Sequence, residues 1–232
     1  MNASGPNWAL FNAEWQASPL PARVGCDVLL TDPPYSDRVH AGRRTGSGAE
    51  GVMYSPLTPE LAMLTAQRWA PVTRHWALLF CDHVAFHWHE AAWRSVGWYV
   101  FGPVYWVKPD PPPRMQGDGP TQSVEQIMVA RPRVKLKKDN PRAGHRRGHY
   151  VCSSRIKGGA LVAGQKPLPL LDEMLEDYAL PGDVIADPYS GSGSTLVAAA
   201  SRGLLSYGFE QDPATFGIAA QRLRSLATAQ AA

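Results

Sequence analysis

The chain has 232 residues, 44% of them hydrophobic and 19% charged, which predicts one globular domain with a full core and excludes a disordered or low-complexity chain. Its three cysteines, Cys26, Cys81 and Cys152, lie far apart and form no CxxC, so neither a disulfide framework nor a cysteine-based metal site is expected. No apolar stretch approaches the length of a bilayer span, and the opening MNASGPNW lacks the basic head and apolar core of a signal peptide, so the expectation is a cytoplasmic protein without membrane contact.

Apolar runs of strand length alternate with helical patterns from end to end. The first, WALFN at 8–12, reads as an edge strand. The second, CDVLLT at 26–31, runs directly into Asp32-Pro33-Pro34-Tyr35. Residues 36–56 are Gly-rich and basic, hold Arg38, Arg43 and Arg44, and are too long for a passive connection. A mobile flap over a site is expected there. A helix over 58–70 opens with Thr58-Pro59-Glu60, a capping residue followed by proline at the first helical position. A strand at 76–81 (WALLFC) precedes a helix over 84–96, and CDHVAFHWH spans their junction. His83 and His87 could share a helix face, but no second ligand cluster accompanies them, so no metal is expected; one of these polar groups could instead line the mouth of the site.

Strands follow at 99–107 (YVFGPVYWV) and 124–130 (VEQIMVA), then an irregular segment over 131–165. A helix over 167–179 leads to a strand at 183–187 (DVIAD), which ends in Asp187-Pro188-Tyr189-Ser190-Gly191-Ser192-Gly193-Ser194-Thr195. A small-residue helix over 194–203, a strand at 205–209 and a helix over 213–228 complete the chain. The pattern is an α/β, Rossmann-like sheet with helices on both faces.

The net charge of +3 conceals an asymmetry. Residues 131–157 hold ten of the 23 Lys and Arg, among them Lys135, Lys137, Lys138, Arg142, Arg146 and Arg147, against one acid, Asp139. A basic block on an acidic body points to a polyanion docking surface; a merely solvated loop is the plainer alternative.

The two motifs carry the chemistry. Gly191 and Gly193 permit tight turning and close backbone approach to a ligand, and the helix behind them presents free N–H groups. The pattern matches neither a phosphate-binding loop nor GxGxxG, since position 196 is leucine. Glu210 ends the next strand, about 20 residues on, where an acid binds ribose hydroxyls, so a nucleoside-containing cofactor is indicated. In the first motif two prolines hold the backbone extended and remove two donors, leaving the Asp32 carboxylate and nearby carbonyls as acceptors in fixed positions. Such acceptors satisfy an exocyclic NH2, and Tyr35 can stack on the ring that carries it. A strand-ending turn would favour Asp and Pro as well.

With both motifs in view, the chain resembles the DNA amino-methyltransferases that act on adenine N6 or cytosine N4. It is similar to their permuted β group, in which the catalytic motif precedes the cofactor motif. TDPPYSDR resembles the catalytic motif, YWVKP at 105–109 with VEQIMVARP at 124–132 the paired strands after it, and GQKPLPLLDEML at 164–175 the segment opening the cofactor half. VIADPYSGSGSTLVAAASRG and SYGFEQDPATFGIAAQRL resemble the family's cofactor turn and ribose-binding strand. The resemblance implies a seven-stranded sheet with one antiparallel strand, S-adenosylmethionine (SAM) as cofactor, and double-stranded DNA with a flipped base as partner. It implies that Asp32 and the carbonyl of Pro33, rigidified by Pro34, accept from the amine while Tyr35 stacks. Asp187, Pro188, Tyr189, Gly191, Ser192, Gly193 and Thr195 would line the methionine side of SAM, Lys166 its carboxylate and Glu210 its ribose. Trp106 would stand beside the flipped base, with Lys108, Arg38, Arg43, Arg44 and the basic block on DNA. Asp at position 32 favours adenine over cytosine by family tendency, and an RNA amine or a silent nucleic-acid-binding member stay open. The departures are Asn12-Ala13-Glu14 where the family has Gly-Asp, Tyr189 for phenylalanine, and a short recognition region over 131–165, which implies a small site or a homodimer.

Overall fold

The computed structural model describes residues 1–37, 55–111, 119–135, 137 and 140–231. In chain order its strands are β1 (Asn2–Ser4), β2 (Trp8–Asn12), β3 (Cys26–Thr31), β4 (Thr73–Cys81), β5 (Trp98–Val100), β6 (Val104–Val107), β7 (Val124–Pro132), β8 (His149–Val151), β9 (Val184–Asp187) and β10 (Leu205–Glu210). Its helices are α1 (Leu20–Val24), α2 (Pro59–Trp69), α3 (His83–Ser95), α4 (Leu168–Tyr178), α5 (Ser194–Ser201) and α6 (Pro213–Ala231). Thr58 caps α2, its side chain accepting from Leu61 N at 3.2 Å, and Asp82 caps α3 by accepting from Val84 N and Ala85 N.

The strands form one sheet in the order β1-β2-β10-β9-β3-β4-β7-β6-β8. β5 and β6 pair with opposite ends of β7, so they are two halves of one strand broken at Gly102-Pro103, where proline has no ladder donor to give. All seven expected strand segments are therefore present, with β7 antiparallel to its neighbours β4 and β6. The expectation that WALFN is the edge is corrected. β1 pairs antiparallel outside it, and β8 adds parallel to β6 at the far side. Both additions are three-residue strands, too short for alternation to be visible in sequence.

Alternation along the central strands separates two cores. Leu29, Ala77, Leu79 and Met128 pack with Trp69, Phe86 and Trp93 of α2 and α3 on one face. Val28, Leu30, Leu78 and Ile127 pack with Leu170, Leu171 and Met174 of α4 on the other. Each fully buried Val, Leu, Ile, Phe or Met among them contributes about 1.5–3 kcal/mol. β3 and β9 lie side by side, with Val28 opposite Ile185 and Leu29 opposite Ala186. From β9 the chain winds through α5 to β10 on one side, and from β3 through α2 to β4 on the other. The carboxyl ends of β3 and β9 thus flank a topological switch point, where open α/β sheets bind ligands.

Candidate active site

Although about 155 residues separate them in sequence, the two motifs touch at that switch point. Thr31 Oγ1, the last side chain of β3, donates to Asp187 Oδ1, the last of β9, at 2.6 Å. Asp32 follows at once, and its Oδ2 accepts from Lys166 Nζ at 2.7 Å. Lys166 also lies 3.0 Å from Glu125 Oε1 and 3.1 Å from the Tyr35 hydroxyl. The Tyr35 hydroxyl donates to Glu125 Oε1, and Lys108 Nζ donates to Glu125 Oε2 at 2.7 Å. The Lys166 ammonium stands over the rings of Phe80 and Tyr35 at 4.8 and 5.3 Å. Two carboxylates and two ammonium groups thus balance one another around the Tyr35 phenol. Asp32 Oδ1 is buried and has no hydrogen-bond partner among the described residues.

The electrostatics follow from burial and these pairs. Burial pushes the Asp32 carboxyl above its ordinary value; Lys166 pulls it back and Glu125 adds to the rise. Burial opposes ionisation of Glu125 too, yet the ammonium groups of Lys166 and Lys108 hold that carboxyl down at about 2. Burial opposes the charge on Lys166, but Asp32 and Glu125 outweigh it and hold the ammonium above its ordinary value. Burial, with both carboxylates, raises Tyr35 and keeps it a neutral phenol. The outer brace is Asp82. Its Oδ2 accepts from Ser36 N and Ser36 Oγ, each at 2.8 Å, while Oδ1 caps α3, tying the chain just after Tyr35 to the helix.

Beside this cluster the ends of β9 and β10 frame a second depression. Gly191 and Gly193 adopt φ +50° and +76°, left-handed values that favour glycine. A Cβ at Gly191 would meet nothing within 4 Å, so the turn opens onto free space. Gly208 of β10 opposes Asp187, and a Cβ there would fall 2.0 Å from Ser190 Oγ. Burial pushes the Asp187 carboxyl up to about 6, against the hydrogen bonds of Thr31, Thr195 and the Tyr189 N–H. Glu210, buried at the end of β10, accepts from Asp212 N at 2.8 Å. An open glycine turn flanked by acids on neighbouring strands fits a nucleoside cofactor with a charged tail. Asn12, which replaces the family's Gly-Asp, spends its amide on the carbonyls of Glu210 and Gln211, at 2.9 and 3.1 Å, and so clamps this corner. The Ser192 side chain turns away from the depression, to within 3.3 Å of Arg222 Nη1 on α6.

Several expected site residues have partners within the chain that the sequence did not show. Lys166, expected at the cofactor carboxylate, sits between Asp32 and Glu125. Trp106 is not an exposed neighbour for a base: it is 3% exposed, and its Nε1 donates to Cys152 O at 2.8 Å. Lys108 is drawn inward onto Glu125, 4.4 Å above the Trp106 ring, because the buried carboxylate needs a cation. The placement of the basic block was the least legible in sequence. β7 runs antiparallel, with Gln126 opposite Cys81 at the catalytic end of β4 and Ala130 opposite Ala77 further towards its start. The chain after Pro132 therefore emerges at the amino ends of the parallel strands. Lys135, Lys137, Arg142, Arg146 and Arg147 belong to that end, roughly 13–20 Å of strand away from the catalytic end, whereas β8, parallel to β6, carries the chain back so that Arg155 pairs with Asp110. Arg142 forms a double hydrogen bond with Asp183, at 2.5 and 2.9 Å. Arg146 stacks on Trp76 at 4.7 Å and on Tyr178 at 5.5 Å, and Arg147 pairs with Glu176 and Asp177. These arginines staple the segment to the body; the acids that neutralise them come from distant stretches of sequence. Arg38, Arg43, Arg44 and Lys138, and the flap expected over 36–56 apart from residues 36, 37, 55 and 56, lie outside the described residues.

Sequence reasoning passed over Glu125 and Gly208. A lone acid in the apolar strand VEQIMVA was the available signal for the first, since a buried carboxylate demands cations nearby. Gly208 within a strand, a mark of close backbone approach, was the signal for the second.

The model of the N6/N4 methyltransferase family, described as a DNA methylase, matches residues 73–221, from β4 into α6. The chain belongs to this family. N6/N4 DNA methylases use SAM, in keeping with the cofactor depression, and act on DNA. Asp32–Tyr35 lie before the matched span, so their part in the site rests on the geometry. Among relatives, the putative methylase YubD of Escherichia coli (strain K12) is 26% identical over 194 residues, 79% of this chain and 75% of that protein. The type II methyltransferase M.Cfr9I of Citrobacter freundii is 28% identical over 153 residues, 62% of this chain and 51% of that protein. The M1.HpyAVI–SAM complex superposes with a TM-score of 0.70 at 22% identity, covering 92% of this methylase and 98% of the other chain. PvuII DNA methyltransferase, cytosine-N4-specific, superposes at 0.62 and 12% identity over 96% and 92% of the two chains. Both show the same Rossmann-like fold.

Proposed function

We propose that this DNA methylase transfers the methyl group of SAM to the exocyclic N6 amine of an adenine flipped out of duplex DNA. The observation that carries the reading is Asp32 Oδ1, a buried acceptor without a partner at the switch point, since such an atom costs about 1–3 kcal/mol unless something fills it. A target amine has two donors: Asp32 Oδ1 takes one and the carbonyl of Pro33 the other. Fixing both hydrogens turns the nitrogen lone pair out of conjugation with the ring. Lys166 occupies Asp32 Oδ2 and so leaves Oδ1 as the oxygen on offer. Tyr35, held by Glu125, stacks on the ring. Asp187, the glycine turn and Glu210 hold SAM, which supplies an electrophilic methyl group. The raised Asp32 carboxyl is suited to receive the proton the amine gives up after transfer. Flipping the base costs a few kcal/mol, offset by contacts at the catalytic mouth.

Adenine is favoured over cytosine because the family tends to pair Asp in this motif with adenine and Ser with cytosine. The cytosine-N4 specificity of the PvuII neighbour makes N4-cytosine the runner-up. The protein is incubated with labelled SAM and genomic DNA, and the DNA is digested to nucleosides. N6-methyladenine is expected. N4-methylcytosine would replace the adenine reading, and label in neither nucleoside would overturn the function.

A further inference from the structure

A cavity of about 290 Å³ opens beside Tyr35 at the carboxyl ends of β4 and β6 and the amino end of the antiparallel β7. Tyr35, Asp82, Tyr105, Lys108, Glu125 and Gln126 are among its walls. Ligand pockets run from about 300 to 1,000 Å³, so this one suits a single small planar ring system. Its polar walls are mostly committed. Asp82 accepts four hydrogen bonds, from Ser36 N, Ser36 Oγ, Val84 N and Ala85 N. Glu125 is taken up by Tyr35, Lys108 and Lys166. Gln126 differs: its Oε1 is buried and has no hydrogen-bond partner among the described residues. A buried amide end left unpaired needs an explanation in a native structure, and here it belongs to a residue that lines a base-sized space. Tyr105, 38% exposed, adds a second aromatic wall to that of Tyr35. Flipped bases are read in such surroundings, by stacking between aromatic side chains and hydrogen bonds along the Watson–Crick edge.

We infer that Gln126 is a specificity-determining residue that reads the ring nitrogen next to the target amine; this rests on the methyl-transfer reading above. In adenine that neighbour is N1 and in cytosine N3, each an acceptor. The Gln126 amide can turn to present its NH2, donating to that nitrogen while Asp32 and the Pro33 carbonyl take the amine. The two readers then address adjacent atoms of one edge, which fixes the ring in its plane.

The test is a chemical double-mutant cycle on the full chain. Wild type and Gln126→Met are assayed for kcat/KM on duplexes carrying the natural target base or its deaza analogue. The analogue is 1-deazaadenine if the product is N6-methyladenine and 3-deazacytosine if it is N4-methylcytosine. Wild type should lose roughly 10- to 100-fold on the analogue, and Gln126→Met should lose as much on the natural base. The variant should lose nothing further on the analogue, because both changes delete one hydrogen bond. Losses that multiply, or an unimpaired Gln126→Met, overturn the assignment. SAM affinity by calorimetry should equal that of wild type and shows that the variant is folded. If Gln126→Met does not fold, Gln126→Glu takes its place: its carboxylate repels the ring nitrogen, so a larger loss on the natural base than on the analogue supports the assignment and equal losses sink it. Wild-type protein inactive on every base would instead refute the function itself, a result separable from any outcome at Gln126.

Discussion

Gly208→Ala is the sharpest single test of how the cofactor turn is built. The new Cβ would lie 2.0 Å from Ser190 Oγ, 2.9 Å from Leu196 Cδ1 and 3.0 Å from the Asp187 carbonyl oxygen. Ordinary contacts of such atoms are about 3.5–4.0 Å, so all three neighbours must move. Leu196 can swing, but Ser190 Oγ is buried and donates to the Asp187 carbonyl at 2.9 Å, and turning it away breaks that bond. The carbonyl is backbone, and shifting it moves Asp187 and the start of the glycine turn. Overpacking of this kind plus one lost hydrogen bond costs about 2–3 kcal/mol, hence roughly 4–12 °C in Tm for a domain of this size. SAM affinity should fall about tenfold or more with the displaced turn, as 1.4 kcal/mol of lost binding would give. Thermal melts and titration calorimetry read both. Ser190→Ala in the Gly208→Ala background removes the closest contact and should restore part of the Tm. A Gly208→Ala protein with wild-type Tm and wild-type SAM affinity would refute the reasoning, as would a Ser190→Ala change that brings no recovery.

Three further expectations follow from the site and its supports. Asp32→Ala should reduce methyl transfer at least about a thousandfold, on the scale of losing a key transition-state contact, while calorimetry shows SAM bound as in wild type. Arg142→Ala leaves Asp183 without its cation, with only the Leu180 N–H still donating to it, in a site where the two side chains are 13% and 6% exposed, and should lower stability by about 3 kcal/mol in denaturant melts. Its DNA affinity and salt dependence should stay those of wild type; a flattened salt slope would return the segment to the DNA surface. Asp187 titrates at about 6 in the fold against an ordinary value near 4, so ionising it opposes folding: the penalty is absent below about pH 4, grows as pH rises, and is complete above about pH 6. Asp187→Asn should therefore raise stability at pH 8 by on the order of 2 kcal/mol, bring no gain at pH 4, and weaken SAM binding. Equal melting shifts at both pH values would contradict that origin.

The strands and helices were legible because their apolar runs are long and capped, as at Thr58-Pro59 and in WALLFC. Asp32–Tyr35 and the glycine turn were legible because prolines and glycines report backbone geometry directly. What lay hidden was pairing across the sheet. Lys166 reads as an isolated lysine before a proline, and nothing local says that a strand 40 residues earlier places Glu125 beside it. The partners of the basic block were hidden for the same reason. Its charge looks free in sequence because Asp183, Glu176 and Asp177, which neutralise Arg142 and Arg147, arrive from α4 and the approach to β9. Strand direction decided the rest: once β7 is antiparallel to β4, the chain directly beyond it emerges at the far end, and only β8, parallel to β6, brings it back towards Lys166.

The pairing of β2 with β10 also has a bearing on how the molecule is made. Trp8 lies opposite Ser206 and Asn12 opposite Glu210, so nearly 200 residues separate partners in one ladder. At roughly 5–20 residues per second, a ribosome delivers β10 about 10–40 s after β2. Through that interval Trp8 and Leu10, both buried in the finished sheet, have only the three-residue β1 to lie against. The first apolar strand to be synthesised is thus among the last to be sheltered, and the pace of translation sets how long it stays exposed to other nascent chains.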